Sequence, residues 1–152
     1  ALPISSQLVE ALLPITETVT SAKGAHIFQQ GERCRGAYLV RVGLSQLTIH
    51  AENGREVLVR TAGPGCILGL PATLCGEPHS STAVALEDSS LGFVDTAKFQ
   101  DFIRSRPDLC IAIVQVMSRE LAEMNARRAN FSDCKACGCP LADTCAHHLQ
   151  LP

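Results

Sequence analysis

The sequence predicts a mainly β member of the α+β class: an antiparallel β-roll of jelly-roll type, flanked by short helices and followed by a long C-terminal dimerisation helix. Three observations predict it. Between about Val19 and Val94, short β-rich runs alternate with glycine punctuation. Asn53-Gly54 separates two runs of alternating apolar residues, a hairpin signal, because a type I′ turn needs positive φ at both central residues. From Cys110 onward, apolar residues recur at alternating spacings of four and three, the rhythm of a helix that packs along a seam.

Taken in order, Ser5 to Leu13 reads as a short amphipathic helix opened by serines and closed by Pro14. The β-rich runs follow at Ala25–Phe28, Ala37–Val42, Leu44–His50, Glu56–Arg60, Thr82–Leu86 and Leu91–Val94. Gly31, Gly36, Gly43, Asn53-Gly54, Gly63-Pro64-Gly65, Gly69 and Gly76-Glu77-Pro78 break them apart. Short strands at this turn spacing build a small antiparallel barrel or roll. Asp95 is placed to cap a helix over Thr96–Arg104, in which Phe99 and Ile103 repeat at helical spacing. Pro107 suits the first turn of another helix, over about 107–131.

Along that last helix Cys110, Val114, Met117, Leu121, Met124, Arg128 and Phe131 keep the rhythm for about three heptads. Ile111, Ile113 and Val116 add a second apolar face near its start, suited to docking on the roll. The first half is therefore expected to pack on its own domain. The second half is expected to pair with a copy of itself through Val114, Met117, Leu121, Met124 and Phe131, giving a homodimer. Arg128 weakens the seam where it falls.

Length and composition set the outer bounds. At 152 residues with 46% hydrophobic content, the chain supports one domain with a real core over residues 1–131, and a cysteine-rich tail over residues 132–152. A formal net charge of −2, with acids and bases intermixed, does not give the basic footprint of a self-sufficient nucleic-acid binder. No apolar run reaches membrane-spanning length and the start lacks a signal-peptide pattern, so the cytoplasm is the default compartment. Cys34, Cys66, Cys75 and Cys110 are scattered singly, as buried thiols acting as small hydrophobes would be. No nucleophile–base pair or carboxylate dyad with supporting spacing points to an enzyme.

Roll, short helix and long helix in this order, over residues 5 to 131, resemble the cyclic-nucleotide-binding domain of the CRP/FNR family of catabolite-activator and fumarate–nitrate regulators. Two segments carry the resemblance. One runs from Ile27-Phe28 through Gly31-Glu32 and an apolar run to the closing Gly43. The other, Gly63 to Ala85, has the layout of the family's phosphate-binding cassette, with Gly69, Leu70, His79, Ser80 and Ser81 as its candidate pocket residues. The resemblance implies a glutamate after the first cassette glycine, to bond the ribose 2′-hydroxyl, and an arginine farther on for the cyclic phosphate. This sequence has Leu70 and His79 there instead. Leucine offers no acceptor, and a neutral imidazole cannot make the guanidinium–phosphate fork. Losing both contacts removes several kcal/mol and with it useful cyclic-nucleotide affinity. Ser80 and the backbone amides near Gly69 are left to hold an anion weakly. Haem held by Cys75 and His79, as some family members hold it from this region, is not supported by the Cys-Gly-Glu-Pro-His spacing.

Four of the eight cysteines, Cys134, Cys137, Cys139 and Cys145, fall within twelve residues of the tail, followed by His147 and His148. The two-residue spacer between Cys134 and Cys137 lets neighbouring thiolates converge on one metal. Four soft ligands suit a [4Fe–4S] cluster or tetrahedral zinc equally, and redox-active thiols without a metal are a third reading. Fumarate–nitrate regulators hold an oxygen-labile cluster on a cysteine-rich segment, which by analogy makes this tail a sensor of oxygen or redox state. The alternative is a small-molecule or cyclic-nucleotide regulatory domain whose tail is a structural zinc or thiol element. The family's transcription factors carry a winged helix-turn-helix where this tail lies. DNA contact is therefore expected only through a domain outside this chain, or else signalling runs through a protein partner.

Overall fold

The computed structural model describes residues 6–131, and their side chains as far as Ala122. It divides after Val116 into two units. The first opens with α1 (Ser6–Leu12), whose Leu8 and Leu12 are fully buried one helical turn apart. Pro14 does not stop the chain there: a 3-10 turn over Leu13–Ile15 carries it on, because proline is tolerated at the first position of a helical turn.

Eight strands follow: β1 (Glu17–Ser21), β2 (His26–Phe28), β3 (Gly36–Val42), β4 (Ser45–His50), β5 (Glu56–Ala62), β6 (Ile67–Leu68), β7 (Thr82–Ala85) and β8 (Ser89–Asp95). They form two antiparallel four-stranded sheets, ordered β1-β8-β3-β6 and β2-β7-β4-β5. The inner faces meet in a core of Phe28, Val40, Leu47, Ala62, Cys66, Leu68, Ala83 and Leu91, drawn from both sheets. This is the mainly β roll expected of the sequence.

The connection between β4 and β5 departs from the expected two-residue type I′ turn. It spans residues 51–55, with Gly54 N–H donating to the Ala51 carbonyl at 2.9 Å and Ala51 N–H to the Arg55 carbonyl at 2.8 Å. Glu52 and Asn53 form the centre of the turn, and Gly54, at φ +83°, takes the left-handed position after it. The Asn53 side chain accepts from Arg55 N–H at 3.0 Å, which fixes the longer loop.

Helix α2 (Leu70–Cys75) lies between β6 and β7, and α3 (Thr96–Ser105) follows β8. The expected cap on α3 is present: the Asp95 carboxylate accepts from Lys98 N–H at 2.8 Å. Phe99 and Phe102 anchor α3 in the core with ring centroids 6.2 Å apart. The long helix, α4, runs over Pro107–Phe131.

In its first unit, Leu109, Ile113 and Val116 are buried while Ile111 and Val114 are 66% and 60% exposed. Ile111 thus leaves the roll-facing set it was expected to join. Two residues along a helix turn about 200°, which puts it opposite Leu109. Cys110 is half-buried and its thiol donates to the Ile103 carbonyl at 3.6 Å. In the second unit Met117 is half-buried and Leu121 is 59% exposed. The side chains of Met124, Arg128 and Phe131 lie outside the described residues.

Two glycines separate steric from torsional demands. A Cβ on Gly36 would strike the Val94 carbonyl across the β3–β8 ladder, whereas one on Gly54 would meet nothing within 4 Å. Gly54→Ala then carries only left-handed strain of about 1 kcal/mol, while Gly36→Ala forces the ladder apart at about 3 kcal/mol or more. Urea unfolding of both variants checks the ranking; equal losses would contradict it.

Candidate functional site

Within the cassette Gly69, the residue before α2, adopts φ +79°. Left-handed backbone favours glycine, and the space here is tight as well. A Cβ on Gly69 would stand 3.0 Å from Cε1 of His79, 3.4 Å from the Gly36 carbonyl oxygen and 3.5 Å from Cε2 of Phe28. The Gly69 carbonyl accepts twice from Thr73, from its N–H at 3.0 Å and its hydroxyl at 2.8 Å, and so starts α2. Leu70, the first residue of that helix, is 2% exposed. Where the family pattern has a ribose acceptor, this chain has a core side chain.

His79 is buried as well, at 4% exposure. Its imidazole stacks on the Phe28 ring with centroids 3.8 Å apart and planes within 8° of parallel. The backbone holds it there from both sides: Gly31 N–H donates to the His79 carbonyl at 2.8 Å, and His79 N–H donates to the Glu32 carbonyl at 3.0 Å. Burial holds its imidazole below the ordinary histidine range, while the Glu32 carboxylate pulls the other way. Tyr38, 6.0 Å from Phe28 between ring centroids, has its phenol pushed up, first by burial and then by Glu32.

The structure thus gathers Gly69 and His79 around Phe28 and places Ser80, exposed, and Ser81, half-buried, on the short run leading into β7. Thr82, not singled out in the sequence, ties this run to β2 by accepting from Gln30 N–H at 2.9 Å. Phe28 was also missed as a site residue. An aromatic just before the Gly31-Glu32 turn is a signal, though only its pairing with His79 gives it meaning. An open groove of about 830 Å³ runs beside the cassette, lined by Glu32, Arg33, Arg35 and, from the cassette itself, Ala72, Gly76 and Glu77, but not by Gly69, Leu70, His79, Ser80 or Ser81.

The expected metal ligands Cys134, Cys137, Cys139 and Cys145 lie outside the described residues. Among the described residues, no group of three or more histidine, cysteine or acidic side chains is placed to hold a metal ion. Among the described residues Cys34, Cys66, Cys75 and Cys110 form no disulfide. Cys75 is exposed rather than buried, because it ends the short α2 beside the Gly76-Glu77-Pro78 turn. Among the described residues no helix is long and apolar enough to cross a membrane.

His79 makes a pH prediction whose sign follows from its burial. Its folded-state pKa lies below the unfolded value of about 6.5, so the unfolded chain binds more protons as acid is added. The stack therefore contributes fully above pH ~6.5 and its contribution is lost as the pH falls through and below that point. His79→Phe keeps a stacking ring that does not titrate, and should flatten this part of the stability–pH curve, read by urea unfolding across the range. An unchanged slope would show that His79 is not the titrating group.

Comparisons with known proteins agree with this geometry. The profile of the cyclic nucleotide-binding domain matches residues 18–106. The chain is similar to the CRP-like cAMP-activated global transcriptional regulator of Mycobacterium tuberculosis, 23% identical over 127 residues, covering 84% of this chain and 57% of that protein. It is also similar to the fumarate and nitrate reduction regulatory protein of Vibrio cholerae, 29% identical over 115 residues, covering 76% of this chain and 43% of that protein. Among solved structures it resembles the Thermus thermophilus catabolite activator protein at TM-score 0.72 and 26% identity, over 81% of this chain and 58% of that one. The chain spans little more than half the length of these regulators, or less. On its match over the roll, and on the cassette layout just described, this chain belongs to the cyclic nucleotide-binding domain family, with CRP/FNR-type regulators among its relatives.

Proposed function

We propose that this chain is the sensory domain of a CRP/FNR-type regulator whose signal enters through the tail cysteines, with the cassette closed to cyclic nucleotides. The observation that carries this reading is the burial of Leu70 and His79. The two positions that would contact ribose and cyclic phosphate are occupied by side chains packed into the fold. Neither offers the acceptor or the fixed cation that a cyclic nucleotide needs.

Cys134, Cys137, Cys139 and Cys145 supply four thiolates, a donor set that fits a [4Fe–4S] cluster, with zinc as the alternative. The cytoplasm keeps such thiols reduced and available. Pairing of α4 with the α4 of a second copy supplies the two-state element. The outward apolar residues Val114 and Leu121 support it, being 60% and 59% exposed and spaced as seam residues. Tying four thiolates to one centre restrains the chain after Phe131, and releasing them relaxes it, so the redox state of the tail biases the pairing. DNA is reached through a further domain or a protein partner, as in the regulators that this chain resembles.

Metal analysis of the anaerobically purified full chain tests the sensor. Iron and sulfide in cluster stoichiometry, with broad visible absorption that bleaches in air, are expected; a colourless protein with one zinc per chain or no metal would overturn the cluster. Light scattering tests the pairing. The wild-type chain is expected at dimer mass, and Val114→Glu with Leu121→Glu at monomer mass. Calorimetry with cyclic AMP and cyclic GMP at neutral pH is expected to show no binding; micromolar binding would return the cassette to the role of input.

A further inference from the structure

The stacked histidine closes the cassette with a group that changes charge near physiological pH. Its ring lies on Phe28, against Gly69, in a position where an added methyl group on Gly69 would already crowd it. One face of the ring covers the Phe28 ring, and only 4% of the residue is exposed, so it is burial that disfavours the charged form. An imidazolium in that place loses hydration without gaining a paired carboxylate in the stack. Its backbone is fixed on both sides by Gly31 and Glu32, so a departing ring must turn about its own side-chain bonds while the strand entry stays in place.

The charged and titratable groups on the surrounding elements are few. The β2–β3 loop contributes Glu32, Arg33, Cys34 and Arg35; β3 contributes Tyr38; β2 contributes His26, which is exposed; and the cassette contributes Glu77, also exposed. Of these, Glu32 is the one whose charge acts on the His79 ring, and it favours the protonated form. Glu32 also accepts from Gln29 N–H at 2.9 Å, which fixes its carboxylate to the loop.

We infer that His79 is a proton-operated plug: neutral, it seals the cassette by stacking on Phe28; protonated, it leaves the stack and opens the cassette to a phosphate-bearing anion, for which it then supplies the cation. This rests on the reading of the cassette as closed to cyclic nucleotides at neutral pH. It adds a condition under which that closure is lifted. Burial and Glu32 act in opposite directions on the same ring, burial the more strongly. The ligand's own negative charge would assist it by binding the protonated form preferentially.

The test uses the full chain and two readouts, with cyclic AMP as the probe. Proton–nitrogen NMR of the histidine rings, assigned through His79→Phe, follows titration directly. The His79 ring is expected to titrate below about pH 6.5 and to lose its ring-current shift in the same step. Calorimetry is expected to show no binding near neutrality and binding at least ~10-fold tighter one unit below the His79 midpoint. His79→Phe should bind at neither pH, and His79→Arg, permanently charged, at both. Binding of equal strength at both pH values in the wild type would overturn both the plug and the closed-cassette reading. No binding at either pH, or a ring that protonates without leaving Phe28, would overturn the plug while leaving that reading intact.

Discussion

The stack of His79 on Phe28, 3.8 Å between ring centroids, is the contact from which the cassette takes its character. It joins a residue at the mouth of β7 to one at the end of β2, two strands paired in the same sheet. Across the pocket Gly69 lies close to both rings, where a Cβ would stand 3.0 Å from the His79 ring and 3.5 Å from that of Phe28. The left-handed turn at Gly69 in turn starts α2 and buries Leu70. Leu70 and His79, at the two cassette positions singled out in the sequence, are thus both packed into the fold.

That closure changes where information can enter the domain. The relatives named above include a regulator described as cAMP-activated and one described as regulating fumarate and nitrate reduction, and a shared fold does not by itself fix the signal. On the proposed reading, Leu70 and His79 turn the cassette away from cyclic nucleotides, the tail thiolates supply the input instead, and the exposed Val114 and Leu121 of α4 carry its effect.

Much of the fold is readable in the sequence because it rests on local chemistry. Asp95 caps α3 through an ordinary side-chain bond, and the glycine-punctuated runs become strands within a residue or two of where they are expected. What escaped notice lacks a local signature. β1 carries four exposed residues out of five, so it shows no buried face. β6 is two residues long, and α2 is six, too short for either periodicity to register. The site was half legible. Substitution of the expected glutamate and arginine by Leu70 and His79 could be read directly. The burial of His79 could not, because it depends on Phe28, a residue distant in sequence. A histidine between Pro78 and Ser80 looks like a loop residue until the sheet brings it onto an aromatic ring.

The claim on which the account turns is that the cassette of the native chain is occupied by its own histidine. Nuclear Overhauser contacts at neutral pH measure this most directly. The account predicts contacts from the His79 ring protons to the Phe28 ring and to the Gly69 α-protons, with the His79 protons shifted upfield by the stacked aromatic. Solvent-like shifts for His79, with no contact to either residue, would contradict it.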